Sequence, residues 1–223
     1  MNSLKRFKDR VKYLPNGFFN DFLSNEEINN IEKEKIILTV GRLGTKQKNT
    51  ELFINAISGI DINLLKNWKI YLVGPCENNI KTLLDEKFLN NFALKDFFVL
   101  TGNISNKKTL YSIYAKSGIF VLSSRWESWG LVVTEAMKFG CYPIVTDCCD
   151  AFKEVISTGK NGFGEIVPSN DIEALRIAIE KALKGEIDYV NKGKIASNYA
   201  QKFLDWKYVV GILDKYFDDI NVK

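Results

Sequence analysis

The chain has 223 residues, 46% of them hydrophobic, enough for one sizeable core with appended helices. Its formal charge of +4 is mild for a nucleic-acid binder, and the absence of histidine excludes Ser-His-Asp triads, Cys-His dyads and the commonest metal ligand. No apolar run approaches the roughly 20 residues needed to cross a bilayer, the leading MNSLKRFKDRVKYLP lacks the apolar centre of a signal peptide, and four cysteines without a Cys-x-x-Cys pair read as reduced thiols, so a cytoplasmic protein is expected.

Residues 1–34 read as a lead-in. Lys5, Arg6, Lys8, Arg10 and Lys12 form a basic cluster, read first as a solvated face or linker and second as a peripheral contact with an anionic inner membrane surface. YLPNGFF holds a Pro-Asn-Gly turn, and SNEEINNIEKE suits a loop or short helix. Six β-branched and aromatic runs follow: KIILTV (35–40), WKIYLV (68–73), DFFVLT (96–101), GIFVLS (118–123), YPIVTD (142–147) and GFGEIV (162–167). Each reads as a strand buried on both faces. The segments between them, such as TELFINAISGI and KKTLYSIYAKS, carry apolar residues at helical spacing. The alternation predicts an α/β fold, a Rossmann-like doubly wound parallel sheet of about six strands over residues 35–185. After Pro168 the pattern is helical only, with Ser169, Asn170 and Asp171 as candidate N-caps and Gly185 at the stop. Residues 186–223 are expected to be C-terminal helices, either one long helix or two.

Ligands of open α/β sheets bind outside the carboxyl ends of the strands, so the residues after each run matter most. GRLGTKQKN (41–49) places Gly41 beside Arg42 and adds Lys46 and Lys48, cations able to hold a diphosphate. It is neither a Walker loop nor a Gly-x-Gly-x-x-Gly turn. TGN (101–103) offers Gly102 for close backbone approach to a flat ligand. In RWESWGLVVTEA (125–136), Ser128 is a candidate cap that would leave the amides of Trp129, Gly130 and Leu131 at a helix start, a ready anion site. Glu127 precedes that helix and Glu135 lies more than a turn inside it. Periodicity alone favours a solvated Glu135 and a Glu127 that complements the helix dipole.

The chain resembles the nucleotide-sugar-binding, C-terminal half of retaining GT-B glycosyltransferases, especially family 4, glycosyl transferases group 1. The matching pieces are LPNGFF, VGRLGTKQKNTELFINA, IYLVGP, FFVLTGNIS, LYSIYAKSGIFVLSSRWESWGLVVTEAMKFGCYPIVTD and KNGFGEIVPSND. They run from Leu14 to about Leu183, and the Glu-x7-Glu stretch is the most specific.

The resemblance implies that Arg42 and Lys48 bind the donor diphosphate, that amides near Gly130 and Leu131 hold its distal phosphate, and that Glu127 meets hydroxyls of the donor sugar. It also implies that Glu135 bonds the ribose and that Gly102, Asn103 and Ile104 face the base. Glu127, Arg42 and Lys48 would then carry the chemistry: cations and helix amides stabilise the leaving diphosphate, and the carboxylate stabilises the oxocarbenium-like sugar. No Asp-x-Asp motif occurs, and no divalent cation or other cofactor is expected. The family's glycines after YPIVTD are here Cys148, Cys149, Asp150 and Ala151.

A GT-B enzyme also has an N-terminal acceptor domain, which these residues do not contain. The expectation is therefore half of an enzyme, poorly active alone. It would bind a UDP- or GDP-linked sugar, partner an acceptor glycan or glycolipid and the missing N-terminal domain, and bind no nucleic acid. A GT-B-type nucleotide-sugar 2-epimerase and a non-catalytic nucleotide-binding module are the alternatives. The segment around Trp206 resembles the helix that crosses to the N-terminal domain in relatives, so an exposed apolar face and self-association are expected there.

Overall fold

The computed structural model describes residues 14–19, 23–156 and 162–221. The basic cluster from Lys5 to Lys12 lies outside the described residues. Strands β1 (Glu34–Val40), β2 (Lys69–Val73), β3 (Phe98–Gly102), β4 (Ser117–Leu122), β5 (Tyr142–Thr146) and β6 (Glu165–Val167) form one sheet in the order β3-β2-β1-β4-β5-β6. Every pairing is parallel. The chain starts mid-sheet, winds outward through β2 and β3, then returns to lay β4 against β1. That reversal is the switch point of a doubly wound fold.

Side chains alternate across each strand and so feed two cores. Ile37, Ile70, Leu72, Ile119, Val121 and Ile144 face one layer, formed by α2 (Thr50–Ser58), α3 (Ile62–Leu65), α4 (Asn78–Asn90) and α8 (Ile172–Leu183). Ile36, Leu38, Val73, Phe120, Leu122 and Val145 face the other. That second layer holds α1 (Asn25–Asn30), α5 (Lys107–Lys116), α6 (Leu131–Lys138), α7 (Asp150–Val155) and α9 (Tyr189–Phe203). Asp171 caps α8 by accepting from the Ala174 amide at 2.9 Å, and Gly185 follows the helix with φ +77°.

Two expectations need correction. β3 is not buried on both faces: it is an edge strand, and Leu100 is 38% exposed. The last strand is three residues long rather than six: only Glu165–Val167 pair with β5, and residues 162–164 precede them as irregular chain, with Gly164 packed so closely that a Cβ there would lie 2.5 Å from Ile156. The C-terminal segment is two helices, α9 and α10 (Trp206–Asn221), and α9 contributes Ala196 and Ala200 to the core of the second layer.

Phe18 joins the lead-in to the α9–α10 junction. Its amide donates to the Leu204 carbonyl at 3.0 Å, and a Cβ on the preceding Gly17 would meet the Trp206 ring at 2.8 Å. α10 buries Val209 and leaves Tyr208, Val210, Leu213 and Phe217 exposed. Among the described residues no helix is long and apolar enough to cross a membrane.

Candidate functional site

The loops that leave β1 and β4 diverge at the switch point, and a set of hydrogen bonds stitches them together. Ser123 Oγ donates to the carbonyls of Lys48 and Asn49 at 3.2 and 3.0 Å. The Arg125 amide donates to the Gln47 carbonyl at 2.8 Å, and Arg125 Nη1 donates to the Lys46 carbonyl at 2.8 Å. Segments 79 residues apart in sequence thus form one surface.

On that surface Lys48 Nζ lies 2.6 Å from Glu127 Oε1, which also accepts from Ser124 Oγ at 2.7 Å. The two side chains are only 15% and 8% exposed, so the pairing and the hydroxyl offset the cost of removing both charges from water. Gly41 makes the route available: a Cβ there would sit 3.2 Å from Lys48 Cε, so the lysine stem lies across it. Arg42 is exposed and donates from Nη2 to Gln47 Oε1 at 2.9 Å.

α6 begins at Leu131, and its N-cap is Gly130 with φ +73°, not Ser128. No side chain caps the helix. Ser128 cannot do so because the left-handed turn at Gly130 moves the helix start two residues downstream. Its carbonyl instead accepts from Cys149 Sγ at 3.4 Å, which lays the loop after β5 against the Glu127 loop. Burial pushes the neighbouring Cys148 thiol up to about 11, with the Glu127 charge adding to the effect. A Cβ on Gly130 would fall 2.5 Å from the Phe152 ring, so α7 closes tightly over this turn. Trp129 packs against the core and leaves Nε1 buried without a hydrogen-bond partner.

Asn16, Lys48 and residues 127–132 wall a cleft of about 290 Å³. Larger cavities of about 400 and 330 Å³ lie elsewhere, one among Pro15, Tyr199, Phe203 and Tyr208, the other beside Lys33 and Lys194. Neither includes the residues that the strand ends bring together. Among the described residues no three His, Cys, Asp or Glu side chains gather as a metal site.

The remaining sequence-predicted residues stand outside the cleft walls. Glu135 is not a freely solvated helical residue: it is half-buried on α6 and accepts from the Tyr114 hydroxyl at 3.3 Å. Burial raises its carboxyl above the ordinary range, opposed by the Tyr114 bond and by Lys107. Gly102 ends β3 with φ +70° and open space where a Cβ would be, followed by the exposed Asn103 and the half-buried Ile104. Gly102 is tied to the next strand end by the Gly74 amide, which donates to its carbonyl at 2.9 Å.

The sequence reading gave no role to Asn16, Gln47, Ser124 or Tyr114. Ser124 carried a usable signal, three residues before Glu127 at a strand end. Gln47 is hidden between two lysines, and Tyr114 reads as an ordinary core aromatic of α5.

Residues 21–203 match the family profile described as Glycosyl transferases group 1. Over 183 residues the chain is 30% identical to GalNAc-alpha-(1->4)-GalNAc-alpha-(1->3)-diNAcBac-PP-undecaprenol alpha-1,4-N-acetyl-D-galactosaminyltransferase of Campylobacter jejuni, covering 82% of this chain and 47% of that protein. It is 28% identical to GDP-mannose:cellobiosyl-diphosphopolyprenol alpha-mannosyltransferase of Xanthomonas oryzae, covering 70% of this chain and 40% of that protein. Its fold is similar to that of sucrose-phosphate synthase from Thermosynechococcus elongatus, with a TM-score of 0.74 at 21% identity, covering 99% of this chain and 56% of that one. The chain therefore spans about half the length of these relatives. With 183 of its 223 residues inside the profile and its charged groups gathered at the switch point, the chain belongs to the glycosyl transferases group 1 family.

Proposed function

We propose that the chain is the donor-binding half of a retaining glycosyltransferase, holding a UDP- or GDP-linked sugar at the β1–β4 switch point. The observation that carries this reading is the Lys48–Glu127 pair on the wall of a cleft that also includes the uncapped start of α6. Splitting a sugar–phosphate bond leaves negative charge on the diphosphate and positive charge on the sugar ring. A cation, a set of free amides and a carboxylate side by side match both.

In this reading Arg42 and Lys48 meet the diphosphate, with Gly41 leaving room, and the amides of Trp129, Gly130 and Leu131 meet its distal phosphate. Glu127 faces the sugar, Glu135 the ribose, and Gly102, Asn103 and Ile104 the base. The anomeric C–O bond to the diphosphate breaks, an acceptor hydroxyl oxygen bonds the same face of the sugar, and its proton leaves with the diphosphate. Arg42, Lys48 and the α6 amides supply the charge stabilisation, so we propose that no divalent cation is required. Unchanged donor binding in EDTA is the expected result.

The acceptor is proposed to be a glycan or glycolipid, recognised by the half of the relatives' length that these residues do not match. Both curated relatives are named for lipid-diphosphate acceptors, which supports a lipid-linked one. Peripheral contact with an anionic membrane would fall to the Lys5–Lys12 cluster, and equal binding to neutral and anionic vesicles would refute it.

The deciding experiment is a thermal-shift titration with UDP, GDP and their sugar conjugates, using wild type, Arg42→Ala and Glu127→Ala. A ligand at about 100 times its Kd adds about 2.7 kcal/mol of stability, a readily measured shift. A shift with one nucleotide that Arg42→Ala loses supports the reading. No shift with any of them refutes donor binding by this chain.

A further inference from the structure

Gln47 sits between the two loops that build the site. Its Nε2 donates to the Trp126 carbonyl at 3.2 Å, and its Oε1 accepts from Arg42 Nη2 at 2.9 Å. Its own carbonyl accepts from the Arg125 amide at 2.8 Å, and the adjacent Lys46 carbonyl accepts from Arg125 Nη1 at 2.8 Å, so its backbone is clamped as well. A carbonyl only accepts and a guanidinium only donates, so the amide has one orientation that satisfies both neighbours.

Arg42 is an exposed side chain on a long stem, with rotamer freedom to lose when a ligand fixes it. A tether in place before binding removes part of that cost from the affinity. We infer that Gln47 is a positioning residue: it pre-sets the Arg42 guanidinium for a ligand diphosphate and fixes the span between the cation loop and the Glu127 loop. This rests on the donor-binding reading above. It is separable from the role of Lys48, which is held by Glu127 directly and does not depend on Gln47.

The consequence is a selective one. A second phosphate raises the charge that Arg42 meets, so loss of its tether weakens a nucleoside diphosphate more than the matching monophosphate. Calorimetric titration of the 223-residue chain with UDP, GDP, UMP and GMP at fixed ionic strength tests this, comparing wild type, Gln47→Ala and Gln47→Glu, with the Tm of each recorded in parallel. Gln47→Ala is expected to weaken the diphosphate about fivefold to tenfold while the monophosphate changes within about twofold. Gln47→Glu is expected to weaken it further, since a carboxylate neutralises Arg42 and cannot donate to the Trp126 carbonyl.

Equal weakening of both ligands alongside a lowered Tm would reduce Gln47 to a structural tie and overturn the inference, as would unchanged binding of all four. Failure of the wild type to bind any of them would overturn the donor-binding reading, and the role of Gln47 with it.

Discussion

Lys48 and Glu127 are 79 residues apart in sequence, and their charged atoms meet at 2.6 Å with little of either side chain exposed. The contact joins the cation loop after β1 to the acidic loop after β4, so it is both a tie across the switch point and the centre of the proposed chemistry. Breaking one partner strands the other charge in a poorly hydrated place. Lys48→Ala is expected to cost about 2–4 kcal/mol in urea unfolding. The double variant Lys48→Met/Glu127→Gln is expected to recover most of that loss while remaining inactive. A double variant no more stable than Lys48→Ala would show that the pair contributes through packing alone.

Glu135 gives stability a pH dependence of known sign. Burial raises its carboxyl pKa in the folded chain, so the protonated form is the one that folding favours. Its contribution is fully present below the ordinary glutamate value of 4.5 and is lost as pH rises through the raised folded value. Glu135→Gln should therefore raise Tm at neutral pH and show no gain in acid. Tyr114→Phe removes a donor that holds the pKa down, and should move the loss to higher pH. A Glu135→Gln gain that is constant with pH would contradict this account.

Two left-handed glycines separate structural from functional constraint. Gly130→Ala meets both backbone strain and the Phe152 ring, and an unfolding penalty of about 2–4 kcal/mol is expected. Gly102→Ala has open space around its Cβ and should cost only about 1 kcal/mol. If the nucleobase lies against Gly102 as proposed, that mild variant should still weaken nucleotide binding. Unaltered affinity would remove Gly102 from the site.

The fold was legible because its signals are local. Six apolar runs at helix-length spacing can bury both faces only in a covered parallel sheet, and each strand appears at its expected place in the chain. The errors fall at edges: β3 lacks a second neighbour and β6 is shortened beside Gly164, neither of which periodicity within a run can reveal. Ser128 failed as a cap for a similar reason, since a left-handed glycine two residues later reset the helix start.

Residue types and spacing by themselves determined the topology class and the strand ends that carry cations and carboxylates, and the resemblance of the quoted motifs pointed to the family. Only the tertiary structure decided which of those groups meet. It paired Lys48 with Glu127, placed Gln47 between Arg42 and Trp126, set Tyr114 against Glu135 and brought Asn16 of the lead-in to the cleft. The reason is physical: hydrophobic alternation acts over a few residues and fixes the elements. Contacts between side chains 79 or 21 positions apart depend on how the β1 and β4 ends diverge and how α5 packs beside α6, which no local pattern encodes.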